Sequence, residues 1–119
     1  MYADITKIEA PSSVQAGEQV IVDVSVKNTD DSDEYMSVTA IFDSTSIPFQ
    51  FDYLIVATGQ TVVFRGWFVM PSKDVRITVY SHYWDGSKWI QDDQMTKDID
   101  VVLLTPQISE FKIADFNKV

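Results

Sequence analysis

Hydrophobic and polar residues alternate with a period of two along several short stretches of the chain, and turn residues separate these stretches. The clearest case is 20–27, where every even position is valine and Asp23, Ser25 and Lys27 occupy odd positions. Such alternation is typical of a β-strand with one face in the core and the other in water. No stretch shows the apolar stripe of an amphipathic helix. The pattern therefore predicts an all-β protein.

The same pattern predicts about seven strands at short and regular intervals. They cover residues 4–10, 20–28, 35–43, 47–55, 61–70, 75–84 and 95–104, with 88–91 returning along a hairpin. Each strand has one apolar face, and that of the last strand comprises Ile99, Val101 and Leu103. Strands of this kind favour two sheets packed face to face. We expect one antiparallel β-sandwich over residues 1–104.

Two residues within these stretches predict local departures from regular pairing. Pro48 has no amide donor, which places the start of the 47–55 strand at an edge or a bend. Gly66 lies inside the 61–70 strand, where a glycine marks a bulge or a close approach of another segment.

Residues 105–119 are interpreted separately. Pro106 ends the last strand, and Phe111, Ile113 and Phe116 supply apolar positions beyond it. The segment 108–113 is similar in character to the first predicted strand. These residues are predicted to form either a docked C-terminal strand, a linker into a following domain, or the opening strand of that domain.

Composition and charge restrict the partners more than the fold. The chain has 119 residues, of which 45% are hydrophobic and 23% charged, enough for one domain with its own core. Its acidic net charge of −9 repels nucleic-acid phosphates and anionic lipid head groups. It contains no cysteine, which excludes thiol catalysis, disulfides and thiolate metal sites. We expect no nucleic-acid binding.

The apolar runs are too short to insert into a membrane, and no basic and apolar leader precedes Tyr2. We therefore expect no membrane insertion. The missing signal peptide leaves two settings open: a virion protein made without export, or an extracellular or cell-surface protein whose leader was removed.

Several segments together resemble one known family. The phrases Ile5-Thr6-Lys7-Ile8-Glu9-Ala10-Pro11, Val14-Gln15-Ala16-Gly17-Glu18-Gln19-Val20 and Val24-Ser25-Val26-Lys27-Asn28 follow one another. The Gly59 turn, Phe68-Val69-Met70-Pro71 and Asp85-Gly86 come later in the same order. Over about residues 4–103 the sequence resembles the CARDB type of cell-adhesion-related module of bacteria and archaea. The resemblance implies a seven-stranded immunoglobulin-like sandwich that serves as a spacer, adhesive or assembly unit, without shared catalytic residues.

The outer face of the 75–84 strand carries the most distinctive side chains. Arg76 and Thr78 are followed there by Tyr80, His82 and Trp84. Exposed rings are suited to stacking on a sugar or a partner protein, because they give a large contact area with little loss of entropy. The simpler interpretation, which we favour from the sequence, is cross-strand packing that stiffens a hairpin, or cover from the 47–60 connection.

The length of the hairpin loop decides whether Trp89 joins this face. A two-residue loop of Asp85 and Gly86 would place Trp89 opposite His82 on the outer face. A three-residue loop would place it opposite Tyr83, toward the core. The candidate residues for ligand or partner binding are therefore Tyr80, His82, Trp84 and Trp89. His82 is the only histidine, so it has no second imidazole with which to hold a metal.

Acidic residues suggest a metal site only weakly. Asp30, Asp31, Asp33 and Glu34 lie between two strands, and calcium prefers such oxygen ligands. The loop lacks the glycine and the distal glutamate of an EF-hand, so a solvated loop is the favoured interpretation. The same applies to the pair Asp92 and Asp93. We therefore expect no cofactor.

Catalysis has little support in the sequence. It contains no Gly-x-Ser-x-Gly elbow, phosphate-binding glycine loop or His-Glu-x-x-His motif. Asp98 and Asp100 share an outer strand face, which alternation on a solvated strand explains without a cleft. The sequence therefore predicts a protein that is not an enzyme.

Three functional hypotheses follow from these features. The leading hypothesis is a structural or adhesion module, either a virion tail, fibre or decoration component or a cell-surface spacer. The alternative is a carbohydrate-binding module that uses Tyr80, His82 and Trp84 against a glycan. The third is self-association through a sheet edge or the aromatic face.

Overall fold

A computed structural model describes residues 2–103, which form nine β-strands and no helix. The strands are β1 (Ala3–Glu9), β2 (Ser13–Gln15), β3 (Gln19–Asn28), β4 (Glu34–Phe42), β5 (Thr45–Ser46), β6 (Leu54–Val56), β7 (Thr61–Val69), β8 (Val75–Trp84) and β9 (Trp89–Val102). The predicted all-β fold is confirmed. Three of the nine strands have only two or three residues, and the 88–91 and 95–104 segments have merged. In the described part of the chain, no helix is present that is long and apolar enough to cross a membrane.

The strands form two sheets that pack against each other. One sheet has the order β1-β3-β7, and the other has the order β2-β9-β8-β4-β5, with β6 also paired to β4. Pairing is antiparallel except between β2 and β9, whose short ladder is parallel. This arrangement is an immunoglobulin-like β-sandwich, as the sequence predicted.

The core lies between the sheets and follows the predicted alternation. The even-numbered valines of β3 are buried, and β8 faces them with Val75, Ile77 and Val79. Phe64 of β7 and Met36 of β4 are fully buried between the sheets. Each such side chain contributes roughly 1.5–3 kcal/mol on leaving water. Burial of alternate residues is therefore the main interaction that holds the two layers together, and the chain has no cysteine to add a disulfide.

The predicted strand 47–55 is wrong, because this segment leaves its sheet. Only the two short strands β5 and β6 form near it, and Phe49 makes an isolated bridge to Gly66. The amide of Trp67 donates to the Pro48 carbonyl at 3.2 Å, so the segment covers the edge of β7. A Cβ on Gly66 would lie 2.9 Å from the Pro48 carbonyl oxygen. The predicted close approach at Gly66 is therefore confirmed.

A β-bulge divides the long strand β9. Ser81 pairs with Asp93 and His82 pairs with Gln91, which leaves Asp92 as an extra residue. The bulge changes which residues of β9 face outward. Before the bulge the odd-numbered Trp89 and Gln91 face outward, and after it the even-numbered residues do. As a result, Asp92 and Asp93 are both half-buried.

The end of β9 differs from the prediction. Leu103 was predicted on the inner face, but it is 59% exposed, because the last pair of the ladder joins Val102 to Gln15. The predictions for the segment 105–119 lie outside the described residues.

The two bulge carboxylates bind the backbone of β1, in the other sheet. One oxygen of Asp92 accepts hydrogen bonds from the amides of Tyr2 and Ala3, each at 2.6 Å. Asp93 accepts one from the amide of Ile5 at 2.9 Å. The buried hydroxyl of Ser81 donates to the Ala3 carbonyl and accepts from the Asp93 amide. The interpretation of Asp92 and Asp93 as solvated acids is wrong, because they join the two sheets.

Substitution of either bulge carboxylate should destabilise the fold. Asp93→Ala removes the acceptor of a partly buried amide, which costs about 1–3 kcal/mol, and Asp92→Ala should have a similar effect. The free energy of unfolding in urea measures both. Asp98→Ala is the matched control, since it removes an exposed aspartate from the same strand and should have a much smaller effect. Equal losses in all three variants would contradict this role of the bulge.

Candidate functional site

The β8–β9 hairpin brings two tryptophans side by side. Trp84 pairs directly with Trp89, so the loop has four residues, 85–88. One carboxylate oxygen of Asp85 accepts the amides of Ser87 and Lys88 at 2.8 and 2.9 Å. These hydrogen bonds lower the pKa of Asp85 and fix the loop. Both predicted loop lengths were therefore wrong, although Trp89 does join the outer face.

Pairing across the sheet extends this contact into a row of apolar side chains. Ile55 of β6 pairs with Tyr35 of β4. Met36, the next residue of β4, pairs with Tyr83 of β8, so Tyr35 lies level with Trp84. Trp84 in turn pairs with Trp89 of β9. The row therefore crosses four strands on the outer face of the larger sheet.

A fourth ring comes from the connection before β6. The ring centroid of Tyr53 lies 5.7 Å from that of Tyr35 and 6.2 Å from that of Trp89, and the two tryptophan rings are 5.4 Å apart. We call Tyr35, Tyr53, Trp84 and Trp89 the aromatic cluster. Tyr53 is 55% exposed, Tyr35 47% and Trp89 39%. The cluster is therefore packed within itself and still open to solvent.

The rings of the aromatic cluster stand at steep angles to one another. The interplanar angles are 84° for Tyr35 and Tyr53, 67° for Trp84 and Trp89, and 45° for Tyr53 and Trp89. The rings thus form the walls of an open cleft of about 320 Å³. They do not form a flat platform, and this geometry decides which ligands fit.

A second groove, which we call the polar groove after the polar side chains in its lining, adjoins the aromatic cluster. It shares Tyr53 and Trp89 with the cluster, and its remaining lining residues are Ser37, Thr39, Asp52 and His82. Tyr80 pairs with Thr39 and Gln94 in the sheet and is not among the residues that line this groove. An extended ligand seated in the cluster would therefore meet hydrogen-bonding groups on this side.

Of the four predicted binding residues, only Trp84 and Trp89 belong to the aromatic cluster. His82 lies in the adjoining groove, and Tyr80 lines neither the cleft nor the groove. Tyr35 and Tyr53 were not predicted from the sequence. Tyr35 precedes the predicted inner-face residue Met36, so alternation placed it on the outer face. Tyr53 lies in an irregular connection, where no periodic signal marks its position.

The surroundings of His82 disfavour its charged form. Its Nδ1 atom is buried, with no hydrogen-bond partner among the described residues. Burial lowers the pKa of His82 below its ordinary value, and a hydrogen bond with the Ser37 backbone opposes part of this shift. Burial therefore favours the uncharged imidazole in the groove.

The acidic loop before β4 is organised by a buried asparagine. The side-chain amide of Asn28 donates to the carbonyls of Ser32 and Val56, and its oxygen accepts the Asp30 amide. Asp33 accepts the amide of Thr58 at 3.0 Å. Hydrogen bonds within the protein therefore hold this loop in place.

The carboxylates of this loop interact with each other. The Ser32 hydroxyl donates to the carboxylates of Asp30 and Glu34, each at 3.1 Å. A hydrogen bond between the side chains of Asp30 and Glu34 lowers the pKa of Asp30 and raises the pKa of Glu34. Asp31 belongs to the same loop, its amide donating to Asp30. Within residues 2–103, no three acidic or histidine side chains are arranged to hold a metal. The sequence favoured a solvated loop over calcium binding by Asp30, Asp31, Asp33 and Glu34, and that expectation stays a prediction.

Comparison with known proteins agrees with the class that this fold defines, an immunoglobulin-like β-sandwich module. No protein-family model and no curated protein matches the chain. The CARDB domain of the PF1109 protein from Pyrococcus furiosus, solved in complex with di-metal ions, is similar to it. That match has a TM-score of 0.60 and 16% identity, and it covers 87% of this chain and 96% of that chain. The fold is thus CARDB-like, as the resemblance implied.

Two further solved structures are similar to the chain. Alpha-2-macroglobulin of E. coli matches with a TM-score of 0.60 and 16% identity over 82% of this chain. This chain spans only 6% of the macroglobulin. A chain from the complex of zinc 2-glycoprotein and prolactin inducible protein from human seminal plasma matches with a TM-score of 0.57 and 14% identity, covering 86% of this chain and 96% of that one. At these identities the likeness shows the fold.

The pH dependence of stability should report on His82. Its folded-state pKa lies below the ordinary value of 6.5, so protonation favours the unfolded chain. The stabilising contribution is fully present above that value and is lost as the pH falls through the lowered pKa. Melting temperatures between about pH 7.5 and about pH 5 should therefore fall more steeply for the wild type than for His82→Gln. Parallel curves for the two proteins would show that burial of His82 has no such effect.

Proposed function

We propose that the chain is a non-catalytic binding module that holds a partner protein at the aromatic cluster. The observation that carries the proposal is a contiguous set of exposed rings on the outer face of a well-packed sheet. Soluble proteins seldom leave such a surface unused, and tyrosine and tryptophan dominate the contacts that contribute most to binding between proteins. Ile55, which is 61% exposed, extends the same surface.

A purely structural role explains the cluster less well. The hairpin that carries Trp84 and Trp89 is already fixed by a ladder that reaches back to Val75 and by the Asp85 loop. Tyr53 comes from outside this ladder and remains more than half exposed. Its ring therefore adds little to the stability of the sheet, and it enlarges the exposed aromatic surface.

The proposal of a non-catalytic role rests on the same cleft. The cleft is open and lined by four aromatic side chains, and among the described residues that line it no carboxylate or imidazole stands beside the two tyrosine hydroxyls to activate them. The similar solved structures support the assignment through their fold alone. Suitable settings are a virion tail, fibre or decoration component, or a spacer at a cell surface.

Carbohydrate binding is the second candidate function. The polar groove beside Trp89 favours it, because Ser37, Thr39, Asp52 and His82 offer groups that can hydrogen-bond to sugar hydroxyls. The steep ring angles argue against it, since a sugar ring stacks best on a flat, accessible aromatic face.

Selection from a displayed random-peptide library tests the proposed function. Peptides selected on the wild type should lose at least about tenfold in affinity for Trp89→Ala, as expected for a central aromatic contact. They should keep their affinity for Trp67→Ala, a matched loss of tryptophan from β7 in the other sheet. Melting temperatures establish that both variants fold.

Two outcomes would overturn the proposal. Selected peptides that bind Trp89→Ala as tightly as the wild type do not use the cluster. Glycan-array binding that Trp84→Ala abolishes, in the absence of such peptides, would establish the carbohydrate function instead.

A further inference from the structure

The shape of the aromatic cluster points to the chemistry of its ligand. We propose that the cluster is a binding site for an organic cation, the arginine or lysine side chain of the partner protein. This inference rests on the proposed function and adds the chemical group that the cluster recognises. The steep angles between the rings and the charges around them carry it.

The walls of the cleft are suited to a cation. A positive charge is attracted to an aromatic face when it lies within about 6 Å of the ring centroid, most strongly for tryptophan. The three centroid separations in the cluster are 5.4–6.2 Å, and the rings are tilted by 45–84°. A side chain that enters the cleft therefore lies beside several rings at once. An apolar ligand would gain nothing from this electrostatic arrangement.

Three acidic residues are immediate sequence neighbours of residues in the aromatic cluster. Glu34 precedes Tyr35, Asp52 precedes Tyr53, and Asp85 follows Trp84. Lys88, before Trp89, is the one basic residue among the immediate neighbours of the four rings. Asp52 also lines the groove that adjoins the cleft. This charge pattern favours a basic ligand and adds to the net charge of −9.

The same charges disfavour a second copy of this chain as the occupant. Two copies docked through this surface would each bring an acidic surface, with Asp52 in the lining of the adjoining groove, toward the other, and like charges across an interface are costly. A basic partner avoids this repulsion. Its flanking backbone has room in the polar groove beside Trp89, where the exposed Thr39 offers a hydroxyl. Arginine suits the site well, since its planar guanidinium stacks on aromatic faces.

Matched pairs of charged and neutral probes test the proposal. Capped pentapeptides with central arginine or citrulline, and with lysine or norleucine, compare side chains of similar shape with and without charge. Binding is followed through the indole N–H resonances, with Trp67 as an internal reference on the other sheet. The arginine peptide should bind at least about fivefold more tightly than the citrulline peptide and shift Trp84 and Trp89 but not Trp67.

Two variants locate the effect. Tyr53→Ala removes one wall of the cleft from an exposed position and should weaken binding of the arginine peptide. Asp52→Asn keeps the shape and removes one charge, so it should weaken the arginine peptide and leave the citrulline peptide unchanged. Asp98→Asn is the matched control, because Asp98 lies farther along the same sheet face in an ion pair with Arg76.

Each contrary result overturns a defined part of the inference. Equal binding of arginine and citrulline peptides, or no binding of either at millimolar concentration, rules out recognition of a cation. In that case, library peptides that require Trp89 would still uphold the proposed function. Binding of choline over its neutral analogue 3,3-dimethylbutan-1-ol, without binding of the arginine and lysine peptides, would keep the cation and remove a protein side chain as its source.

Discussion

The extra residue in β9 is the constraint on which the rest of the structure depends. A regular ladder would turn Asp92 and Asp93 to opposite faces of the sheet and change which face Trp89 occupies. The bulge instead directs both carboxylates toward the amides of β1 and keeps Trp89 beside Trp84. One irregularity therefore joins the two sheets and also assembles the outer surface that we propose as the binding site.

The two faces of β8 have separate roles because a strand points successive side chains in opposite directions. Its buried residues fill the core, whereas Trp84 and His82 lie on the outer face. The rigid core thus fixes the positions of the exposed rings, so a ligand would not have to order them on binding. The segment around Pro48 covers the edge of β7, so its hydrogen-bonding groups there are less available to a strand from another chain.

The sequence predicted the fold well where alternation was undisturbed. The inner faces of β3, β4, β7 and β8 follow from it, because burial of one face fixes the register of a strand. It failed where tertiary contacts decided the outcome. The segment around Pro48 pairs with the opposite sheet, and the four-residue loop after Trp84 depends on hydrogen bonds to Asp85. Tyr53 could not be placed in the aromatic cluster, because its position depends on that rearranged segment.

The carboxylate contacts between β9 and β1 also affect how the molecule would bear mechanical tension. A pull on the chain near Tyr2 loads the backbone ladder between β1 and β3 together with the bonds that Asp92 and Asp93 make to β1. Both sheets therefore share the force before β1 detaches.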